Sequence, residues 1–258
     1  MGRGVSFVLL ALVLVASAAA PGQAVPNESA ERAVFQLEVL TRGAARSVGY
    51  GTAFFTGSDG TALTVSHVVY RASHDPEHYD LLAIVNKEFY SVRIVCASKL
   101  PYDPTKENLA TGVPLGRDVA QVKLAPSQFP FRNWALRFKT GETLTLATAH
   151  RDPLPRFPYL TLGTGPSQGE HIRVVGFGHI SPMPRVFVAT GRIDRMTRAR
   201  DGTEIFSAEF TSRPQPGNSG SPILNDRGQV VGIWPWSSLT QSSWGAGISS
   251  SALATPCP

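Results

Sequence analysis

Glycine and proline interrupt this chain throughout its length, and this feature constrains the fold more than any other. The chain holds 24 glycines and 20 prolines among 258 residues. They are scattered without a repeat, which excludes a collagen-like chain and low-complexity linkers. Both residue types interrupt helices and close tight turns. Because they separate short apolar runs here, the sequence favours an all-β sandwich or barrel over a helical bundle.

The segments between these interruptions have the length and periodicity of β-strands. The run Val34–Leu40 alternates apolar and polar side chains through Glu38, which predicts a strand with one buried face and one wet face. Hairpin turns are predicted at Ser58–Gly60, Asp201–Gly202 and Asp226–Gly228. No window sustains helical periodicity over three turns, although residues 67–72 allow a turn or two of helix. We expect two β-rich halves that meet between about residues 125 and 137.

The first 24 residues have the features of an export signal. Arg3 precedes the apolar run Val5–Val15, and small residues that permit cleavage after Ala18, Ala20 or Ala24 follow it. The apolar run is shorter than the roughly 20 residues that a membrane span needs. We therefore expect a signal peptide over residues 1–24, a secreted or periplasmic mature protein, and no membrane association after cleavage.

Charge and cysteine content limit the partners. The net charge is only +5, and the densest basic stretch, residues 192–200, is interrupted by Asp194 and ends at a predicted turn. This arrangement is typical of a solvated hairpin tip, so no nucleic-acid partner is expected. Two cysteines are too few for a four-cysteine zinc site, and we expect neither metal nor cofactor. Cys96 and Cys257 either pair in an oxidising compartment or remain free thiols.

Three local motifs place a reactive side chain where a short strand ends. His67 follows one apolar strand, and Asp118 opens another. Ser219 lies between Gly217 and Gly220, in the run Gly-Asn-Ser-Gly-Ser-Pro. Glycines on both sides let the backbone turn sharply and present its N–H groups outward, as an oxyanion hole requires. A serine nucleophile also needs a base within hydrogen-bond reach, which histidine supplies.

In this order the motifs resemble the trypsin/chymotrypsin-like serine peptidases of the bacterial secreted type. The spacing is 51 residues from His67 to Asp118 and 101 from there to Ser219. The resemblance covers nearly all of the mature chain and implies two six-stranded antiparallel β-barrels with the active site in the cleft between them. Residues 25–130 would form the N-terminal barrel, with the first two motifs, and residues 131–258 the C-terminal barrel, with the serine.

The resemblance also implies a role for each residue. His67 would take the proton of Ser219, and Asp118 would orient the imidazole. The backbone N–H groups of Gly217 and Ser219 would bind the developing oxyanion. The expected activity is that of a monomeric serine endopeptidase acting on polypeptides. Two alternatives stay open: a catalytically silent barrel that binds peptides or proteins, and an esterase that uses the same triad.

One position departs from the family pattern. Digestive members pair a newly freed amine with an aspartate immediately before the serine, and here that residue is Asn218. Because an amide has no charge to pair with an ammonium group, we expect a site that needs no activating cleavage.

The specificity pocket follows from the resemblance alone. Arg213 falls at the base of the primary pocket, which disfavours substrates with Lys or Arg there. Trp236 belongs to the strand that would pair with the substrate. Gly245 and Gly247 would form the opposite wall and leave room for a substrate side chain.

Rival sites carry weaker signals. Asp80 and Asp103 compete with Asp118, but the first follows His67 too closely and the second lies in a proline-rich loop. Residues 165–169 match the G-x-S-x-G elbow, yet the later histidines lie too close for an acid strand to intervene. Residues 74–78 hold two histidines and two carboxylates, but a proline among them favours a polar loop over a metal site.

Overall fold

The computed structural model describes residues 27–43, 46–100, 104, 116–129, 133–137, 143–148, 152–178, 185–212, 215–237 and 243–256. Within these residues the chain forms fourteen β-strands, two short α-helices and one 3-10 helix. None of the helices in these ranges is long and apolar enough to cross a membrane.

Six strands of the N-terminal half close into a barrel. They are β1 (Val34–Thr41), β2 (Ser47–Phe55), β3 (Thr61–Thr64), β4 (Tyr79–Val85), β5 (Glu88–Ala97) and β6 (Ala120–Ala125). Neighbouring strands follow the order β4-β1-β2-β3-β6-β5, and pairing of β4 with β5 closes the ring. Helix α1 (Asn27–Arg32) precedes β1, and helix α2 (Ser66–His74) follows β3.

A further hairpin extends the sheet of this first barrel. Its strands are β7 (Asn133–Arg137) and β8 (Thr143–Thr148), and β8 pairs in parallel with the start of β5, at Glu88 and Phe89. Hydrogen bonding therefore joins this hairpin, which the predicted boundary assigns to the second barrel, to the sheet of the first.

The C-terminal half forms a second closed barrel. Its strands are β9 (His171–Gly178), β10 (Arg185–Arg198), β11 (Glu204–Phe210), β12 (Ser221–Asn225), β13 (Val230–Ser237) and β14 (Trp244–Ser249). They follow the closed order β10-β11-β14-β13-β12-β9, and all their pairings are antiparallel. The 3-10 helix Ser250–Ala252 follows. The predicted fold, two six-stranded antiparallel barrels, is confirmed.

Glycines close the predicted hairpins as their sequences require. Gly60, Gly202 and Gly228 all have φ between +74° and +85°, a conformation that glycine adopts without the steric cost of a Cβ atom. The Gly202 turn follows the long strand β10, so the basic stretch of residues 192–200 forms a hairpin end, as predicted.

Strand β1 differs from its prediction. The alternation predicts a wet face, but Gln36 and Glu38 on that face are only 5% and 2% exposed. The prediction of a wet face is wrong because β1 packs against β9 of the second barrel, which covers what a single sheet would leave in water. Ser47 and Gln36 donate hydrogen bonds to the Glu38 carboxyl group. Burial outweighs these bonds and raises the pKa of Glu38 to about 7.

The same junction of the barrels positions the predicted catalytic residues. Strand β2 packs against both β9 and β12, and the apolar core runs from Phe54 and Val69 of the first barrel to Val175 and Ile233 of the second. A Cβ atom on Gly51 of β2 would lie 2.6 Å from Val68 of helix α2 and 3.0 Å from the carbonyl oxygen of Ser219, so helix α2 lies beside the loop that enters β12.

Of the two cysteines, Cys96 lies within the described residues and Cys257 does not. Cys96 in β5 is disulfide-bonded, and Cys257 lies outside the described residues.

Candidate active site

His67 and Asp118 meet at the junction through two hydrogen bonds. The backbone N–H of His67 donates to Asp118 Oδ1 over 3.0 Å, and the ring Nδ1 lies 2.6 Å from Asp118 Oδ2. A carboxylate only accepts hydrogen bonds, so Nδ1 carries the proton in this contact. When the ring is neutral, this arrangement leaves the lone pair on Nε2, the nitrogen that can act as a base. The two side chains are only 13% and 7% exposed.

The backbone beside Asp118 is held in place by serines from two other segments. The carbonyl oxygen of Val119 accepts hydrogen bonds from Ser66 Oγ at 2.8 Å and from Ser98 Oγ at 3.0 Å. Ser66 is the first residue of helix α2 and precedes His67. The Ser66 bond thus joins the two His67 bonds in holding the helix that carries the histidine to the turn that carries the aspartate.

Ser219 lies in the loop that enters β12, between the two barrels. Its carbonyl oxygen accepts a hydrogen bond from the Thr52 amide of the first barrel at 2.7 Å, and the next amide, of Gly220, donates to the Trp234 carbonyl at 2.7 Å. The Ser219 hydroxyl donates to the Pro235 carbonyl at 3.1 Å. The nucleophile candidate is thus fixed by main-chain bonds from both barrels, while its hydroxyl bonds to β13.

The glycines on both sides of Ser219 are required by the backbone geometry. Gly217 and Gly220 have φ of +98° and +90°. A Cβ atom on Gly217 would lie 2.6 Å from the Phe177 carbonyl oxygen, and one on Gly220 would lie 2.0 Å from that of Thr52. Any larger residue at either position would push the loop away from the neighbouring strands.

Two amides of this loop remain available for a ligand. Within the part of the chain that the structure describes, neither the Gly217 nor the Ser219 N–H donates to a protein acceptor. The intervening Asn218 is fully buried, and its Oδ1 accepts the Gln215 amide at 2.7 Å. The side chain of Asn218, which stands where the digestive members have an aspartate, thus binds the loop from the buried side.

Thr52 is a component of the site that the sequence analysis missed. Its buried hydroxyl donates to the Gly217 carbonyl at 2.8 Å and accepts from the Phe177 amide at 2.9 Å. Its own carbonyl accepts from Thr64 Oγ1 at 2.7 Å. One threonine therefore links the loop of Ser219 to strands of both barrels. The only sequence signal is a polar residue among the apolar side chains at the end of β2.

The predicted pocket residues are only partly described. Arg213 lies outside the described residues, and only the backbone of Trp236 is described, in β13. Gly245 and Gly247 lie in β14, but side chains of the protein itself fill the room beside them. A Cβ on Gly245 would lie 1.9 Å from Trp234 Cη2.

The rivals of Asp118 lie elsewhere or are not described. The Asp80 carboxylate pairs with Arg42 on the surface of the first barrel, with 2.6 Å between Oδ1 and Nη2. Asp103 lies outside the described residues. Of the two described aspartates, Asp118 is the one that lies beside His67.

Comparisons with known proteins agree with this fold. The family model of the trypsin-like peptidase domain matches residues 51–233. The crystal structure of Deg5 is 14% identical, covers 88% of this chain and 88% of its own, and has a TM-score of 0.57. Rv3671c from M. tuberculosis, in an inactive form, is 15% identical over 89% of this chain and 86% of its own, with a TM-score of 0.54. A serine endoprotease from Yersinia pestis is 19% identical with a TM-score of 0.54, and the match covers 88% of this chain and 62% of that protein.

Proposed function

The chain belongs to the trypsin-like peptidase family and is a serine-type peptidase, and from this premise we propose that it is an exported endopeptidase that cleaves polypeptides through an acyl-enzyme on Ser219. The observation that carries the proposal is the pair of hydrogen bonds from His67 to Asp118, at 3.0 and 2.6 Å. These bonds leave one basic ring nitrogen available beside the loop of the serine.

In the proposed reaction the Ser219 hydroxyl rotates from the Pro235 carbonyl toward His67 Nε2, which takes its proton as Oγ attacks the substrate carbonyl carbon. Asp118 stabilises the imidazolium that forms. The histidine then returns the proton to the leaving amine, and the peptide C–N bond breaks. A water molecule, deprotonated by the same histidine, releases the acyl group.

The free amides of Gly217 and Ser219 would bind the oxyanion of the tetrahedral intermediate. In comparable sites one such donor contributes about 3 to 4 kcal/mol to transition-state stabilisation. Asn218 supports a site that is active without an activating cleavage, because its amide already bonds to Gln215 within the loop. No incoming ammonium group is needed to hold the loop.

Export is supported by the state of Cys96. This residue is disulfide-bonded, and disulfides persist in oxidising compartments such as the periplasm or the extracellular space. The disulfide of Cys96 and the predicted signal peptide over residues 1–24 together favour a secreted or periplasmic enzyme in which Cys96 is bridged to Cys257.

Labelling with a fluorophosphonate tests the nucleophile. Ser219→Ala should abolish labelling, because fluoride is displaced only by an activated serine oxygen. Ser221→Ala is the matched control, since this buried hydroxyl has no hydrogen-bond partner in the described part of the chain. Label that persists on another residue would overturn the assignment, and a wild type that never reacts would favour the silent binding module.

Digestion of an unfolded protein distinguishes the endopeptidase from the esterase. Mass spectrometry should find internal cleavages that the wild type makes and Ser219→Ala does not. Turnover of simple esters without any internal peptide cleavage would favour the esterase instead.

A further inference from the structure

The room that the glycines of β14 leave is already occupied. A Cβ atom on Gly245 would lie 1.9 Å from Cη2 and 2.3 Å from Cζ2 of the Trp234 indole. Carbon atoms in normal contact lie about 3.5 to 4 Å apart, so the six-membered ring packs directly on the glycine backbone. At Gly247 a Cβ would lie 2.3 Å from Phe206 Cζ. Both gaps serve the packing of the second barrel.

The indole of Trp234 is held firmly in this position. The residue is 1% exposed and belongs to the apolar core of the second barrel. Its ring meets the Phe210 ring edge-on, with 5.0 Å between centroids and an angle of 88°. Because neighbours pack on both the glycine side and the phenylalanine side, the ring has no room to swing away for an incoming side chain.

The backbone of Trp234 and Pro235 contacts the loop that carries Ser219. The Trp234 carbonyl oxygen accepts the Gly220 amide at 2.7 Å, and the carbonyl oxygen of the next residue, Pro235, accepts the Ser219 hydroxyl at 3.1 Å. A substrate carbonyl carbon within bonding distance of Ser219 Oγ therefore lies beside Trp234–Pro235. The side chain of that substrate residue branches two bonds away from this carbon and would extend toward β13 and β14.

We propose that Trp234 fills the primary specificity pocket and restricts the peptidase to substrates with a small residue, glycine, alanine or serine, on the acyl side of the cleaved bond. This inference rests on the proposed function. A methyl or hydroxymethyl group fits without entering the space of the indole. A leucine or phenylalanine side chain needs the volume that the indole occupies and is rejected by steric overlap.

Two phosphonate probes test the proposal directly. They are peptidyl diphenyl phosphonates that carry the side chain of alanine or of phenylalanine next to phosphorus. Ser219 Oγ forms a bond to phosphorus as one phenoxide leaves, and phenoxide takes up the proton of the hydroxyl. Mass spectrometry of the intact protein gives the labelling rates, and a fluorophosphonate measures the fraction of active sites in each preparation.

Wild-type protein should react at least tenfold faster with the alanine probe. Trp234→Val keeps an apolar side chain but frees most of the indole volume, and it should raise the rate with the phenylalanine probe at least tenfold. Trp234→Ala should raise it further. Phe206→Leu is the matched control, because it shortens an aromatic side chain of the same core against Gly247 and should keep the wild-type ratio.

Two results would overturn the inference. The first is a wild type that reacts with the fluorophosphonate but does not prefer the alanine probe, and this result does not depend on any variant. The second is a Trp234→Val protein that reacts with the fluorophosphonate and keeps the wild-type ratio. A wild type that fails to react with the fluorophosphonate instead refutes the proposed function, so the two failures are distinguishable.

Discussion

On the first-barrel side of Ser219 the neighbouring side chains are held by hydrogen bonds, whereas on the second-barrel side the neighbouring side chains are held by apolar packing. His67, Asp118 and Thr52 are held by bonds of 2.6 to 3.0 Å. Across the serine, the indole of Trp234 packs on Gly245 and meets an aromatic ring 5.0 Å away.

The two sides should therefore respond differently to substitutions. A hydrogen bond depends on which atom donates, so exchanging one atom at constant volume removes it. Apolar packing depends on volume, so its loss grows with the space that a substitution opens or overfills. We therefore expect polar substitutions on the first side to affect the chemical step, and size changes on the second to affect selectivity and stability.

The largest effect is expected from Asp118→Asn, which changes one atom on the polar side. The asparagine amide accepts from only one of the two His67 donors, so its NH₂ group turns toward the ring and forces the other tautomer. We expect kcat for peptide hydrolysis to fall about 10⁴-fold, with the melting temperature little changed.

Asp80→Asn is the control for this experiment, because its carboxylate pairs with Arg42 at the surface. It should keep wild-type activity. If the Asp80 variant were the inactive one, the aspartate of the triad would have to be reassigned.

The next effect concerns the buried carboxyl group of β1. Burial raises the pKa of Glu38 to about 7, from 4.5 in an exposed chain. Between these values the folded state keeps a proton that the unfolded state has released. The free energy of unfolding therefore falls as pH rises from about 4.5 through about 7, by up to about 3 kcal/mol.

Urea denaturation at several pH values between 4 and 8 measures this dependence. Glu38→Gln, which cannot ionise, should flatten it, whereas Glu77→Gln at an exposed position should not. An unchanged pH dependence in Glu38→Gln would show that another group is responsible.

A smaller loss of activity is expected from Thr52→Val. Valine keeps the shape but leaves the Gly217 carbonyl and the Phe177 amide without their bonds at 2.8 and 2.9 Å. The loop that presents the oxyanion amides then loses its anchor. We expect kcat to fall about 10- to 100-fold at nearly constant KM.

Rescue separates this positioning role from a structural one. Thr52→Ser restores the hydroxyl and should recover most of the activity. Thr190→Val removes an exposed hydroxyl of β10 and should have no effect. A Thr52→Ser enzyme as slow as Thr52→Val would contradict the role of the hydroxyl.

The sequence predicted those parts of the site that depend on local signals. Glycines on both sides of Ser219 and the strand ends at His67 and Asp118 are features of short segments. Thr52 could not be found in this way, because its partner Gly217 lies 165 residues further along the chain. Only the folded barrels bring the two together.

The predicted strands illustrate the same limit. Alternation in β1 predicts two distinct faces, but it does not show that the second barrel covers the face of Glu38. Gly245 is the clearest example of what a local sequence pattern leaves open. A glycine indicates that room is needed, but the sequence does not say whether a substrate or the protein's own Trp234 fills that room.

Gly245→Ala gives the smallest expected effect and tests the apolar side directly. Its Cβ would lie 1.9 Å from the indole of Trp234, so the ring or the strand must shift. Overpacking of this kind costs about 1 to 3 kcal/mol of unfolding free energy. Gly49→Ala is the control, because its Cβ would meet Val39 at 3.6 Å, an ordinary contact.

The double variant Gly245→Ala/Trp234→Val decides whether the indole causes this loss. Valine leaves room for the new methyl group, so the effects of the two substitutions on the free energy of unfolding should not add. We expect a favourable coupling of at least about 1 kcal/mol in urea denaturation. Strictly additive effects would contradict this explanation. They would mean that position 245 requires a glycine for its backbone conformation and not because Trp234 packs there.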